Sequence, residues 1–349
     1  MGKFIKNFFF VLMPFFLFVV LVNYFGDAAH LFSNKYVEQI SENLLVGKNV
    51  TNISNYDERL LEKYLINNKS TCPEVVVLGS SRTMLINSNY FKNQSFSNNS
   101  VSGSSIEDLV AVFHLYEQNN CIPKKIILGL DPWTLNINNG QTRWLTLNRE
   151  FYDLSNHLTN SHKISKEDYI NSKYYQLISP SYFKSSIKKL FLKSDPIITD
   201  RRNNKTLTKL VDGSINYDER NRNPTTVQVE MAVLDYLNNS IYGVEKFDTL
   251  SPETTLLLDK FVKHLKSKNI EVVFFLAPYH IKVYSFLAKS EKYRQVIESE
   301  KYFIKLGEKY KIKIIGSFNP NILNLDNSYF FDGMHCTEQG IEKIMSQGK

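Results

Sequence analysis

The sequence predicts an α/β protein whose core is a mainly parallel sheet with helices on both faces. Three observations carry that expectation. First, residues 75–82 (VVVLGSSR), 125–130 (KIILGL), 271–277 (EVVFFLA) and 311–316 (KIKIIG) are short runs rich in β-branched and apolar residues that end in turn formers. Second, apolar residues at helical spacing lie between them: Ile106, Leu109, Val110, Phe113 and Tyr116, then Leu257, Leu258, Phe261, Val262 and Leu265, then Val296, Phe303 and Leu306. Strands alternating with helices imply βαβ units. Third, the first run breaks into Gly79-Ser80-Ser81. In a parallel sheet that turn faces the crevice beyond the carboxyl ends of the strands, where ligands bind.

Taken in order, residues 1–30 read as a cytoplasmic N-terminus and membrane anchor. Lys3 and Lys6 precede an almost unbroken apolar run from Phe8 to Val22, with Asp27 behind it. About 18 such residues come close to crossing a ~30 Å hydrocarbon layer. No clean small-x-small cleavage pattern follows directly, so the run is expected to stay as a single-pass transmembrane helix, the alternative being a removed signal peptide. The positive-inside rule then puts residues beyond about 30 outside the cytoplasm, periplasmic or at the cell surface. Residues 31–70 read as a polar stalk with a lead-in helix over 56–66.

Residues 71–349 form the catalytic domain in this reading. A second strand is expected within 94–99, followed by a Ser/Gly turn at 100–105 and a helix capped by Ser104 or Ser105, with Glu107 and Asp108 in its first turn. The strand at 125–130 runs into Asp131-Pro132-Trp133. From about 140 to 250 the pattern loosens into Tyr- and Asn-rich segments, expected to be an insertion that covers one sheet edge and shapes a substrate groove. A chain of 349 residues with 43% hydrophobic and 13% aromatic content excludes a disordered protein. The formal charge of +7 is spread without a dense cluster or binding motif, so nucleic acid is not an expected partner.

Near the C-terminus, Asp332-Gly333-Met334-His335 sets a carboxylate and an imidazole three residues apart in a loop before the last helix. Such a pair can orient an imidazole toward a serine. The competing reading is a helix-capping Asp332 beside an ordinary surface histidine. His30, His114, His157, His162, His264 and His280 show no metal-ligand spacing, so no metal site is expected.

Strand-Gly-Ser-Ser, the Ser102-Gly103-Ser104 turn and the terminal DGMHCTEQG together resemble the SGNH, or GDSL-like, hydrolase superfamily. The membrane-anchored extracytoplasmic members come closest, similar to cell-envelope polysaccharide O-acetylation proteins and the D-alanyl transfer protein of teichoic acid synthesis. The resemblance implies a flavodoxin-like three-layer fold and no cofactor. It implies Ser81 as nucleophile, His335 as general base and Asp332 as its orienter, with the N–H groups of Ser81 and Gly103 as oxyanion hole. The partners implied are the membrane, an envelope glycan or other acylated polymer, and a membrane-bound acyltransferase. The implied function is a serine esterase or O-acyltransferase working through an acyl-serine. The alternative is an inert SGNH-like protein that binds glycan or serves as scaffold.

In this family a third block supplies an Asn donor to the oxyanion hole, whereas the matching position here is Asp131, and an ionised Asp cannot donate. Either Asp131 is structural and the hole has two donors, or Asn136 reaches in, or the activity is altered. Arg82, Asp131, Trp133 and His280 are the expected substrate contacts. The strand order of the superfamily makes the strands after Cys72 and Cys121 neighbours, so these cysteines are expected either as a bridge or as two free buried thiols, with Cys336 unpaired.

Overall fold

The computed structural model describes residues 2–160, 173–191 and 195–347. Their strands are β1 (Asn49–Thr51), β2 (Val75–Leu78), β3 (Phe96–Asn98), β4 (Lys125–Gly129), β5 (Ile197–Thr199), β6 (Thr208–Lys209), β7 (Ile215–Asn216), β8 (Glu271–Leu276) and β9 (Lys313–Gly316). Five of them form one all-parallel sheet in the order β3-β2-β4-β8-β9. Numbered within that sheet, the order is 2-1-3-4-5, a common doubly wound arrangement whose ligand crevice opens at the reversal of strand order. Here the reversal lies between β2 and β4.

The central strands β2, β4 and β8 read as apolar runs because both faces are covered. Val76, Leu78, Ile126, Leu128, Val272, Phe274 and Leu276 enter one core with the helices Ile106–Gln118, Pro252–Ser267 and Arg294–Tyr310. Val75, Val77, Ile127, Val273, Phe275 and Ile315 enter the other, closed by Met84, Leu85, Ile86 and the helix Glu338–Gln347. Three layers result. Gly79 and Gly129, at the ends of β2 and β4, permit the close approach there. A Cβ on Gly79 would stand 3.1 Å from the Gly129 Cα and 2.5 Å from the Thr83 hydroxyl.

Cys72 and Cys121, just ahead of β2 and β4, form a disulfide with Cα atoms 5.3 Å apart. It ties the two strands at the end away from Ser81. A loop of 49 residues closed in the unfolded chain corresponds to about 4 kcal/mol in the chain-entropy treatment.

The second sheet is antiparallel, ordered β5-β1-β6-β7, and joins residues 49–51 to the 140–250 region. Its last hairpin lies along the open edge of β3: Asn98 N–H donates to the Asp212 carbonyl at 2.8 Å, and Ile215 N–H to the Met84 carbonyl at 3.0 Å. Residues 31–70 do not stand off as a stalk. The helices Lys35–Leu45 and Glu58–Asn68 bury Tyr36, Val37, Ile40, Leu44 and Leu61 around Val50, because those residues repeat at helical spacing on facing sides.

A fully buried ion pair fastens this segment to the domain. Glu62 meets Lys209 Nζ at 3.1 Å and accepts from Asn99 Nδ2 at 2.6 Å, and Asn99 in turn accepts from the Tyr116 hydroxyl. Lys209→Met should cost about 3–5 kcal/mol, because it leaves a buried carboxylate uncompensated, and adding Glu62→Gln should recover most of it. Urea unfolding of the three variants checks this. Equal stability of Lys209→Met and wild type would show the pair to be inert.

The helix Gly2–Gly26 opens the chain, with Pro14 inside it. Among the described residues no helix is long and apolar enough to cross a membrane, so the anchor expected from the sequence remains a proposal.

Candidate active site

The carboxyl ends of β2 and β4 place two loops side by side, and the loop carrying 332–335 closes over them. Ser81 Oγ lies 2.8 Å from His335 Nε2, across 254 residues of sequence. His335 Nδ1 lies 2.8 Å from Asp332 Oδ2, and Asp332 Oδ1 accepts the N–H groups of Met334 and His335 at 2.8 Å each. The carboxylate therefore shapes the loop and orients the ring together. Burial would push the Asp332 carboxyl up, but the His335 ring and the two backbone donors outweigh it and hold the carboxyl below its ordinary range. Phe331 stacks on the imidazole with ring planes 5° apart, which limits its rotation.

Ser80 is excluded from the hydroxyl role. It is fully buried, and its Oγ accepts the Arg82 N–H at 3.1 Å. Ser81 opens instead onto a pocket of about 420 Å³, whose walls include Ile53, Tyr56, Met84, Leu207, Tyr217 and Phe331. The wall is mostly apolar, with the carboxylate of Glu58 and the hydroxyl of Ser102 at its edge.

Ser102 brings the Ser102-Gly103-Ser104 turn to this pocket. Its hydroxyl donates to Glu58 Oε1 at 2.8 Å, its N–H bonds Glu58 Oε2, and its carbonyl accepts from Arg59 Nη2 at 3.0 Å. Arg59 is itself fixed by a two-pronged contact with Asp108, at 2.9 Å from Nε and from Nη2. Asp108 also completes the capping box with Ser105 that starts the helix Ile106–Gln118. The following Gly103 has φ +55°, and a Cβ there would meet the ends of the Arg143 and Tyr242 side chains, so any other residue would be strained. Among the described residues neither Ser81 N–H nor Gly103 N–H has a protein acceptor, which leaves both as candidate oxyanion donors. Glu58, Arg59 and Tyr217 were not foreseen from the sequence. The one signal for Arg59 was its spacing with Glu62 and Ile66 at i, i+3 and i+7, two charges sharing a stripe with an apolar residue.

The four expected substrate contacts are internal, and none borders the Ser81 pocket. Arg82 is 3% exposed and spans three loops: Nη1 donates to Asp131 Oδ1 at 2.9 Å, Nε to the Met334 carbonyl at 3.0 Å, and Nη2 to the Ala277 carbonyl. Its guanidinium lies 4.2 Å from the Tyr279 ring centre. Asp131 is thus the counter-ion of Arg82. Trp133 donates Nε1–H to the Ser104 carbonyl at 2.9 Å and so holds the Ser102-Gly103-Ser104 turn. Asn136 does not reach the oxyanion position, since its Nδ2 donates to Gly243 O and its Oδ1 accepts from Asn138 N–H.

His280 caps the helix Ile281–Lys289 and borders a cavity of about 1070 Å³, lined in part by Asn87 and Asn89, that shares Tyr217, Asn221 and Phe331 with the Ser81 pocket. Its N–H holds the Gly333 carbonyl at 3.0 Å. Burial first, then Lys282, lowers its pKa to about 4. The native ring is neutral, so its contribution to stability is full above 6.5 and is lost as pH falls through that value toward about 4. The loss should reach about 3 kcal/mol by pH 4. His280→Gln should flatten the stability profile across that window, read by thermal unfolding at stepped pH; an unchanged profile would remove His280 from the account.

His114 and His264 both pair with Glu117, and among the described residues no group of His, Cys, Asp and Glu is disposed to hold a metal ion. Comparison with models of known protein families finds no match, and comparison with curated proteins finds none either.

Proposed function

We propose that this chain is a membrane-anchored, extracytoplasmic serine esterase or O-acyltransferase that acts on a cell-envelope polysaccharide through an acyl-serine, in a flavodoxin-like domain of the SGNH type. One observation carries the reading: the continuous hydrogen-bonded chain from Ser81 through His335 to Asp332. In the first half-reaction Ser81 Oγ attacks the acyl carbonyl while His335 Nε2 takes its proton. The carbonyl oxygen becomes negative against the N–H groups of Ser81 and Gly103, and the leaving alkoxide takes the proton from Nε2. In the second half-reaction a sugar hydroxyl or water loses its proton to Nε2, attacks the acyl-serine and releases Ser81. Each half forms one C–O bond and breaks one.

The disulfide supports a compartment outside the cytoplasm, where such bonds persist. Lys3 and Lys6 ahead of the apolar run support an N-terminus on the inner side. One observation favours a second reading, an inert scaffold that binds glycan or partners a membrane acyltransferase: Asp131 stands where the family has an Asn donor and is tied up by Arg82. A fluorophosphonate probe and a chromogenic acetyl ester separate the two. The enzyme should label at Ser81 and turn over the ester, and Ser81→Ala should do neither; a folded wild type that neither labels nor hydrolyses favours the scaffold.

A further inference from the structure

The helix Gly2–Gly26 does not leave the domain as a free tether. Its last turns pack on the turn Gln176–Ile178 and the helix Pro180–Phe191. Asn23, fully buried, donates its amide to the carbonyls of Gln176 at 3.1 Å and Leu177 at 2.8 Å. Gly26 approaches Ser186 so closely that a Cβ would lie 2.7 Å from the serine Cβ, the small-on-small contact by which helices pack in membranes. Phe18 meets Phe183 edge-on at 6.0 Å. Beyond the helix end, Asp27 accepts from the Tyr182 hydroxyl at 2.8 Å, and Lys189 Nζ donates to the Asp27 carbonyl at 2.6 Å.

Those contacts use one face of the second helix, Tyr182, Ser186 and Lys189. The neighbouring stripe carries Phe183 and Ile187, both half-buried, then Leu190 and Phe191, which are exposed among the described residues. Phe191 is 84% exposed and Leu190 49%. Tyr175 and Ile178 extend the apolar surface at 68% and 50%, toward Tyr24 and Phe25 on the first helix. Lys184 and Lys188 flank the stripe, and the helix has no acidic residue. Apolar aromatic and aliphatic side chains on one face with lysines beside them match the boundary between headgroups and acyl chains.

We propose that residues 174–191 form an interfacial element that lies in the headgroup region of an anionic bilayer. Rigidly docked to the end of the anchor, it fixes the catalytic domain at a set height and tilt. The occupant is lipid because the stripe is continuous with the apolar surface of the helix Gly2–Gly26, and because its flanking charge is wholly positive. The proposal rests on the anchor reading above.

The test uses the full chain in vesicles of phosphatidylcholine and phosphatidylglycerol in equal parts. A nitrobenzoxadiazole label is placed at Phe191→Cys, Phe16→Cys or Met231→Cys, all exposed positions. The disulfide consumes two native thiols, and burial pushes the Cys336 thiol up to about 12, so the new cysteine takes the label. The quencher is a lipid carrying a nitroxide near the headgroup end of its acyl chain. Emission at 191 should shift to shorter wavelength and fall about twofold, while that at 231 stays unchanged. Adding Lys184→Glu and Lys188→Glu should reverse most of the quenching at 191 and leave that at 16 intact. Quenching at 16 without quenching at 191 would overturn the interfacial element and keep the anchor. Absence of quenching at both would overturn the anchor reading and the proposal with it. Quenching at 191 that ignores the two glutamates would overturn the role of anionic lipid.

Discussion

On the proposed mechanism, Ser81→Ala should lower ester turnover roughly 10⁴-fold or more, because the hydroxyl that attacks the acyl carbonyl is gone while the fold is untouched. Ser81 contributes little to the core, since it stands on a turn beyond the end of β2 and opens onto a pocket. His335→Ala should fall nearly as far. The sharper expectation is non-additivity: the Ser81→Ala, His335→Ala pair should be scarcely worse than either single change, because a base without its nucleophile has nothing to activate. Burst and steady-state kinetics with the chromogenic ester, beside circular dichroism for the fold, check this. Singles whose losses multiply in the double variant would mean that the two residues act on separate steps.

Arg82→Met should destabilise the protein by about 3–5 kcal/mol and also slow it about 10²-fold, two effects with one cause. The guanidinium neutralises Asp131 after β4 and holds the carbonyls of Ala277 after β8 and Met334 in the histidine loop. Without it a carboxylate and two carbonyls are left buried and unpaired, and the segment next to His335 loses an anchor. Adding Asp131→Asn should restore part of the stability but little of the rate, since Met334 stays unheld. The kinetic signature separates this positioning role from the substrate contact expected from the sequence. Positioning lowers kcat with KM nearly constant, whereas a lost substrate contact raises KM and spares kcat. The second pattern would return Arg82 to the substrate path.

His335 and Ser81 are legible in the amino-acid sequence because each sits in a local pattern with chemical meaning: a serine where an apolar strand breaks at glycine, and a carboxylate three residues from an imidazole. Arg82, Asp131, Trp133 and His280 are legible as residues near the site but not in their direction. A charged residue beside a nucleophile looks the same in sequence whether it faces solvent or the interior. Glu58 and Arg59 have the pattern of a solvated first turn on a surface helix, yet they hold the Ser102 turn from more than forty residues away. The antiparallel sheet leaves no trace in the sequence because its strands are two or three residues long, too short to show an alternating pattern.

The sequence by itself determined the parallel sheet, because its central strands, buried on both faces, are apolar runs, and that pattern survives without any knowledge of neighbours. It also shows a serine, a histidine and an aspartate in local patterns with chemical meaning. Only the tertiary structure decided that Asp131 neutralises an arginine instead of serving the oxyanion, and that residues 35–68 are packed into the domain. Each of those outcomes depends on which groups compete for the same buried space. That competition is settled by contacts between segments far apart in the chain, on which local composition has no bearing.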